Sequence, residues 1–285
     1  MKLLITGAGG QLGSEWVDFC QERGISFNSF TSSELDIYDV DKIENTIVSL
    51  CPDVIINCAA YTKVDEAEEN KESAIQINGS AVKVLADSCK KHSIKLVHYS
   101  TDYVFAGTKS DKENNPEGYK EEDSTDPVNV YGYSKLKGEE AIKDSGCEFL
   151  LLRVSWLCGQ YGNNFVKTML KLGSEKKEIN IVDDQYGAPT FTDQVVEQTF
   201  ELIQQEKSGV YHLSSDGLIT WYQFSKEIFK QKRIDVKVNP VSSSEFKTKA
   251  KRPFFSKLST KKISNIERIQ ILDWKEGLQR LLAKL

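Results

Sequence analysis

The chain has 285 residues, of which 39% are hydrophobic and 28% charged, with a net charge of -5 at pH 7. That is an ordinary globular balance with room for one large domain or two moderate ones, and it gives no electrostatic footprint for nucleic acid. No apolar run approaches the roughly 18 residues that span a bilayer, and Met1 to Gly7 is too short for a secretory signal, so no membrane association and a cytoplasmic home are expected.

The first half alternates strand and helix. Lys2 to Thr6 is an apolar run broken by Gly7, as a buried strand ending in a turn should be. Gln11 to Arg23 carries Leu12, Trp16, Val17, Phe19 and Cys20 at helical spacing, with Gly24 as a stop. A short strand is expected over Ser26–Phe30, a helix over Asp41–Leu50, a buried strand over Asp53–Asn57 and a long helix over Ser73–His92. Lys95–Tyr99 and Phe149–Arg153 read as strands flanking a helix near residues 131–145. Strands separated by helices make right-handed βαβ units, hence an α/β fold with a Rossmann-like doubly wound parallel sheet.

The second half is less regular. Helices are expected over Asn163–Gly173, Asp193–Gln205, Trp221–Gln231 and Asp273–Leu285, and extended chain over Ile179–Val182 and Val210–Leu213. Gly107 to Pro127 is polar, shows no periodicity and reads as a long loop. No linker divides the chain. The expected division is a dinucleotide-binding domain over 1–155, with segments near 190–215 packing back onto it, and a smaller mixed α/β substrate domain over 156–285. The six cysteines form no CxxC pair and do not sit at metal spacing with the three histidines, so reduced thiols are expected.

Gly7, Gly10 and Gly13 stand between the first strand and the first helix. There a pyrophosphate can meet backbone N–H groups at a helix N-terminus, and a Cβ would block the approach or the tight turn. The acid that usually clasps a ribose 2′-hydroxyl some 20 residues on is missing. Phe30-Thr31-Ser32-Ser33 offers hydroxyls instead. They do not repel a 2′-phosphate, although no Arg or Lys is present to hold one. NADPH is therefore the expected cofactor, with NADH tolerated.

Tyr131 and Lys135 are four residues apart and share one helix face. A phenol titrating near 10 is a poor acid at neutral pH, and a nearby ammonium lowers that value, so the pair can protonate a carbonyl under reduction. Tyr133 is two residues from Lys135 and faces elsewhere. Thr101 follows a buried strand, at the sheet edge where such folds bind ligands, and is placed to hydrogen-bond a substrate carbonyl. His98 lies in that strand and reads as a packed, hydrogen-bonded side chain.

Four segments together resemble the extended short-chain dehydrogenase/reductases: the glycine turn, Cys58-Ala59-Ala60-Tyr61-Thr62-Lys63-Val64-Asp65, Ser100-Thr101-Asp102-Tyr103-Val104-Phe105 and Asn129-Val130-Tyr131-Gly132-Tyr133-Ser134-Lys135. Arg153-Val154-Ser155-Trp156, Gly162-Asn163-Asn164-Phe165, Asp184-Gln185-Tyr186-Gly187-Ala188-Pro189-Thr190 and Arg252-Pro253 narrow the resemblance to the dTDP-4-dehydrorhamnose reductase family over nearly the whole chain. The resemblance implies an NAD(P)H-dependent oxidoreductase that passes a hydride to C4 of a dTDP-linked 4-keto sugar, the last step of dTDP-rhamnose synthesis for a surface or spore polysaccharide.

It further implies that Tyr131 donates the proton, that Lys135 tunes Tyr131 and holds the nicotinamide ribose, and that Thr101 assists. It assigns Gly10, Gln11 and Leu12 to the pyrophosphate turn, Asp36 and Ile37 to the adenine, and Ala59, Ala60 and Thr62 to the cofactor lining. It assigns Asp102, Trp156 and Arg252 to the substrate, with the indole as a flat wall and the guanidinium on the diphosphate. Ordinary roles stand beside these: core packing for Trp156, a surface ion pair for Arg252 and a turn acid for Asp36.

Relatives that hold magnesium between subunits leave a metal at Glu15, Asp193 and Glu197, and a homodimer, open; a solvated acidic face is the favoured alternative. The family pattern is broken twice, by the length of the 107–127 loop and by Ala106 where an acid is common. Two further readings remain: a reductase of another 4-keto-6-deoxy sugar nucleotide, and a non-catalytic regulatory subunit of the same fold.

Overall fold

In the computed structural model, which describes residues 1–285, the chain builds a parallel sheet from its two halves. The first half supplies β1 (Lys2–Thr6), α1 (Gln11–Glu22), β2 (Ser26–Phe30), α2 (Val40–Leu50) and β3 (Val54–Asn57). The short helices α3 (Val64–Ala67) and α4 (Lys71–Ile75) follow, then a π-helical turn over Gln76–Ser80 that leads into α5 (Ala81–His92) and β4 (Lys95–Thr101). Next come α6 (Lys109–Asn114), α7 (Val130–Ser145) and β5 (Phe149–Val154).

The second half runs through β6 (Leu157–Cys158), α8 (Phe165–Glu175), β7 (Glu178–Val182), β8 (Tyr186–Gly187) and β9 (Thr190–Phe191). It continues with α9 (Thr192–Gln204), β10 (Gly209–Leu213), β11 (Ile219–Thr220), α10 (Trp221–Lys232) and β12 (Lys237–Val241). The last elements are α11 (Lys261–Ser264) and α12 (Trp274–Lys284).

Six strands form the main sheet in the order β10-β5-β4-β3-β1-β2, every pair parallel. Every residue of β3 and β4 is buried. That explains why these strands read as apolar runs rather than alternating ones: helices cover both faces of the sheet. Trp16, Ile5, Ile56, Leu152 and Val195 belong to the core on one face, and Leu4, Ile43, Ile55, Leu85 and Leu151 to the core on the other. A third core, around Val166, Phe224, Ile228 and Leu278, packs α8, α10 and α12 near the separate parallel pair of β7 and β12. Strand order reverses where β1 is flanked by β2 and β3, the place where a doubly wound sheet opens a crevice at its carboxyl edge.

Three expectations need correction. The helix expected over 73–92 is interrupted by the π-helical turn Gln76–Ser80. Asn78 and Gly79 in that turn let the chain approach α7, where the Asn78 amide donates to the Ser134 hydroxyl at 2.9 Å. The 107–127 loop is not wholly irregular, because Thr108 and Asp111 cap α6 reciprocally. The Tyr119 hydroxyl fixes it by donating to the Asp111 carboxylate at 2.6 Å and accepting from Gly107 N–H at 2.9 Å. Strand β12 was not anticipated, because Pro240 interrupts its pattern; proline is tolerated there on the edge of a two-stranded sheet.

Candidate active site

The glycine turn forms as its spacing requires. Gly7 has φ +68°, and a Cβ there would lie 2.5 Å from Ala59 N. A Cβ on Gly13 would strike the Gly7 backbone, with Ala8 Cα 2.8 Å away. Gly10 is the extended N-cap of α1 and has no side-chain cap, so the first N–H groups of the helix stay available to an anion.

A cavity of about 670 Å³ opens beside this turn, lined by Gly7, Gly10, Asp36, Ile37, Ala59 and Ala60 among others. Thr31 and Ser32 also line it, which puts the hydroxyls after β2 where the sequence placed them. Asp36 is on the wall, yet its carboxylate also accepts from Tyr38 N–H at 3.0 Å, so it makes its own turn as well. Gln11, Leu12, Gly13 and Thr62 do not line this cavity. The Gln11 side chain instead bridges to the Leu157 carbonyl and to Asn164, at 3.2 and 2.8 Å, and Leu12 is core. Sequence reading missed Ser73, Gln76 and Ile77, which reach the cavity from α4 and the π-helical turn. The Asn78-Gly79 pair inside a helical pattern was the available signal.

Thr101 ends β4 and Tyr131 lies in the first turn of α7, whose start is fixed by the Asn129 side chain accepting from Gly132 N–H at 2.8 Å. A Cβ on Gly132 would strike the Tyr103 carbonyl, so glycine lets α7 press against the segment after β4. The Tyr131 ring meets Tyr103 edge to face at 5.7 Å. Burial and the Asp102 charge push the Tyr131 phenol up to about 12, against the Thr101 hydroxyl, which stabilises the phenolate.

The expectation that Lys135 lowers the Tyr131 phenol is therefore not met. The Lys135 Nζ is turned to β4, where it donates to the Tyr99 carbonyl at 2.5 Å and lies 3.2 Å from His98 Nε2. Burial drops this lysine to about 8. Tyr133 is exposed.

Of the substrate-side residues, Asp102 is buried and takes a hydrogen bond from Thr101 at 3.0 Å, but its Oδ2 has no partner. Burial raises its carboxyl to about 7. Arg252 pairs with Asp65 at 2.7 Å, while its Nη1 is buried without a partner. It is thus an ion pair with one face left over. Trp156 has φ +47° and stacks on Trp221 at 3.5 Å and 13°, so one indole face is already covered. Gly187 packs against the same ring, where a Cβ would come within 2.8 Å.

Within the chain the acidic group is not assembled as a metal site. Glu15 is buried and accepts from Thr192 at 2.7 Å, which corrects the expectation of a solvated acidic face at that residue, while Glu197 is exposed and Asp193 partly so. The Lys284 ammonium stands 3.6 Å from Glu15 and 3.3 Å from Asp193, supplying the positive charge itself. Glu197 lines a separate cavity of about 340 Å³ with Glu15, Asp193 and Lys284, and no three acidic, histidine or cysteine side chains converge as a ligand set. No helix is long and apolar enough to cross a membrane.

A family model described as RmlD substrate binding domain matches residues 1–285. The dTDP-4-dehydrorhamnose reductase of Aggregatibacter actinomycetemcomitans is 38% identical over 99% of this chain and 98% of its own length. The spore coat polysaccharide biosynthesis protein SpsK of Bacillus subtilis is 36% identical over 99% of this chain and 97% of its own. Among solved structures, dTDP-4-dehydrorhamnose reductase from Bacillus anthracis in complex with NADP superposes with a TM-score of 0.94 at 38% identity, covering 100% of this chain and 99% of that one.

Proposed function

The chain belongs to the RmlD substrate binding domain family, and from that premise we propose that it reduces the C4 keto group of dTDP-4-dehydro-L-rhamnose with NADPH to give dTDP-L-rhamnose. The observation that carries the reading is that Tyr131 stands beside Thr101 at the carboxyl edge of the sheet, with Lys135 one turn on along α7, and that the glycine turn of the same sheet opens the 670 Å³ cavity. Relatives that carry the dTDP-4-dehydrorhamnose reductase name span nearly the same length.

In this reading Gly7, Gly10, Gln11, Leu12 and Gly13 present the α1 N-terminus to the pyrophosphate, the last three through backbone alone. Asp36 and Ile37 bracket the adenine, and Ala59, Ala60 and Thr62 follow the cofactor toward the nicotinamide. The bound cofactor supplies the hydride that adds to C4. Tyr131 gives its phenolic proton to the C4 oxygen, and Thr101 steadies the phenolate that remains. Asp102 Oδ2 and Arg252 Nη1, two of five buried polar side-chain atoms without a partner, are left for a sugar hydroxyl and a diphosphate oxygen. The Trp156 indole packs beside the sugar. We also take residues 1–155, together with α9 and β10, as the cofactor-binding unit, and most of 156–285 as the substrate unit.

The test is loss of reduced-nicotinamide absorbance when purified protein, NADPH and dTDP-4-dehydro-L-rhamnose are mixed, with the sugar product identified. Turnover of another 4-keto-6-deoxy sugar nucleotide alone would move the substrate assignment. Cofactor binding with no turnover of any such sugar would point to a regulatory subunit.

Cofactor preference gives a second test. Ser32→Asp puts a carboxylate on the cavity wall beside Thr31. Charge repulsion with a 2′-phosphate is expected to raise KM for NADPH about tenfold, equivalent to ~1.4 kcal/mol, with a smaller change for NADH. Equal changes for both nucleotides would move the 2′-phosphate away from this wall.

A further inference from the structure

Behind Lys135 runs a buried chain of polar side chains that the reaction scheme above does not use. The Thr6 hydroxyl donates to Asn57 Oδ1 at 2.7 Å, and Ala59 N–H donates to the same oxygen at 3.1 Å. A backbone N–H can only donate, so Oδ1 is fixed on that side and the Asn57 NH₂ faces His98 Nδ1, at 2.9 Å. Nδ1 therefore accepts. Burial holds His98 far below the usual histidine range, so the ring is neutral and carries its one proton on Nε2. That N–H points at Lys135 Nζ, 3.2 Å away. An ammonium has no lone pair to accept it; a free amine does, and it can still donate to the Tyr99 carbonyl.

We infer that His98 is a positioning residue that favours the free amine of Lys135 over its ammonium, so that in alkaline solution, where the amine is populated, binding of the reduced dinucleotide takes up one proton at Lys135. Protonation makes Nζ a pure donor, turns the His98 contact into donor against donor and frees the ammonium for the ribose hydroxyls and the Tyr131 oxygen. The proton comes from solvent and no bond to carbon changes. The inference rests on the cofactor reading above.

The surrounding groups leave Lys135 as the one that responds. Glu139, one turn on along α7, is committed to Arg153 at 2.7 Å. Cys58, after β3, has its thiol pushed far up by burial and stays protonated. Tyr131, one turn back, titrates only at about 12, and burial pushes Tyr99 on β4 well above the usual phenol range. Lys135 itself sits at about 8.

The experiment is calorimetric titration of the full-length protein with NADPH at about pH 7 and pH 9, in buffers of differing ionisation enthalpy. Phosphate groups, with a second pKa near ~6, are silent over this range. Uptake close to one proton at about pH 9 and little at pH 7 is expected, with affinity falling about tenfold between them, because the amine must then be charged before it can serve. His98→Gln gives the ammonium an amide oxygen, so the uptake and the affinity drop should both vanish while NADPH still binds. Lys135→Arg, which cannot lose its charge, should bind without uptake even if the glutamine variant does not fold.

NADPH binding to the wild type without proton uptake overturns the inference. Uptake unchanged in His98→Gln overturns the role of His98. No NADPH binding at all overturns the cofactor reading instead.

Discussion

Replacing Tyr131 with phenylalanine is expected to lower kcat by about 10²–10⁴-fold, the range of a positioned general acid, while NADPH binding stays within a factor of about two. The ring is wedged edge to face against Tyr103, and phenylalanine keeps that contact. What is lost is the proton delivered to the C4 oxygen. The phenol is held up at about 12 by burial and by Asp102, so it is fully protonated at neutral pH and ready to donate. Stabilising the phenolate then falls to the Thr101 hydroxyl and to a charged Lys135. A steady-state assay with direct cofactor titration separates the two effects. Activity retained in Tyr131→Phe would remove Tyr131 from the proton transfer and leave Thr101 or Asp102 as the donor.

The largest expected loss of stability comes from a pair that does no chemistry. Arg153 and Glu139 are both fully buried and meet in a forked contact, Nε on Oε1 at 2.9 Å and Nη2 on Oε2 at 2.7 Å. Ser100 adds a hydrogen bond to Oε1 at 2.7 Å. The third guanidinium nitrogen donates to the Glu121 carbonyl at 3.2 Å and lies 3.3 Å from His212 Nε2. The pair thus ties α7 to β4, β5, β10 and the segment that follows α6. Removing one partner of such a pair strands a buried charge, and Arg153→Leu is expected to cost about 3–5 kcal/mol at neutral pH in denaturant unfolding.

The pH dependence identifies the cause. Arg153 and Ser100 hold the Glu139 carboxyl below the usual range against the cost of burial, so in the wild type its contribution is present above the unfolded value and fades as pH falls through the lower folded one. Without the guanidinium, burial should raise that carboxyl, so the variant loses stability as pH climbs past ~4.3. The gap between the two proteins should narrow toward about pH 4. A gap that is the same at both pH values would mean that lost packing, not stranded charge, sets the cost.

Tyr131 and Lys135 could be recognised from spacing because a helix turns local sequence into a shared face. The glycine turn was legible for a similar reason: positive φ at Gly7 and close approach at Gly13 are demands that act on single residues. Asp102 and Arg252 could be named only through resemblance, and it took the fold to show that each keeps a buried atom free.

The sequence by itself determined the alternation of strands and helices in the first half, the parallel sheet and the glycine turn, since periodicity of burial and glycine geometry are written locally. Only the tertiary structure decided the electrostatics. Lys135 turns to His98 and Tyr99 rather than acting on Tyr131, because β4 brings a carbonyl and a tautomer-fixed ring within hydrogen-bond reach. Lys284 occupies the acidic cluster, because α12 returns to α1 and α9 from the far end of the chain. Charge, burial and proton position depend on which distant residues meet, and spacing along the chain does not carry that information.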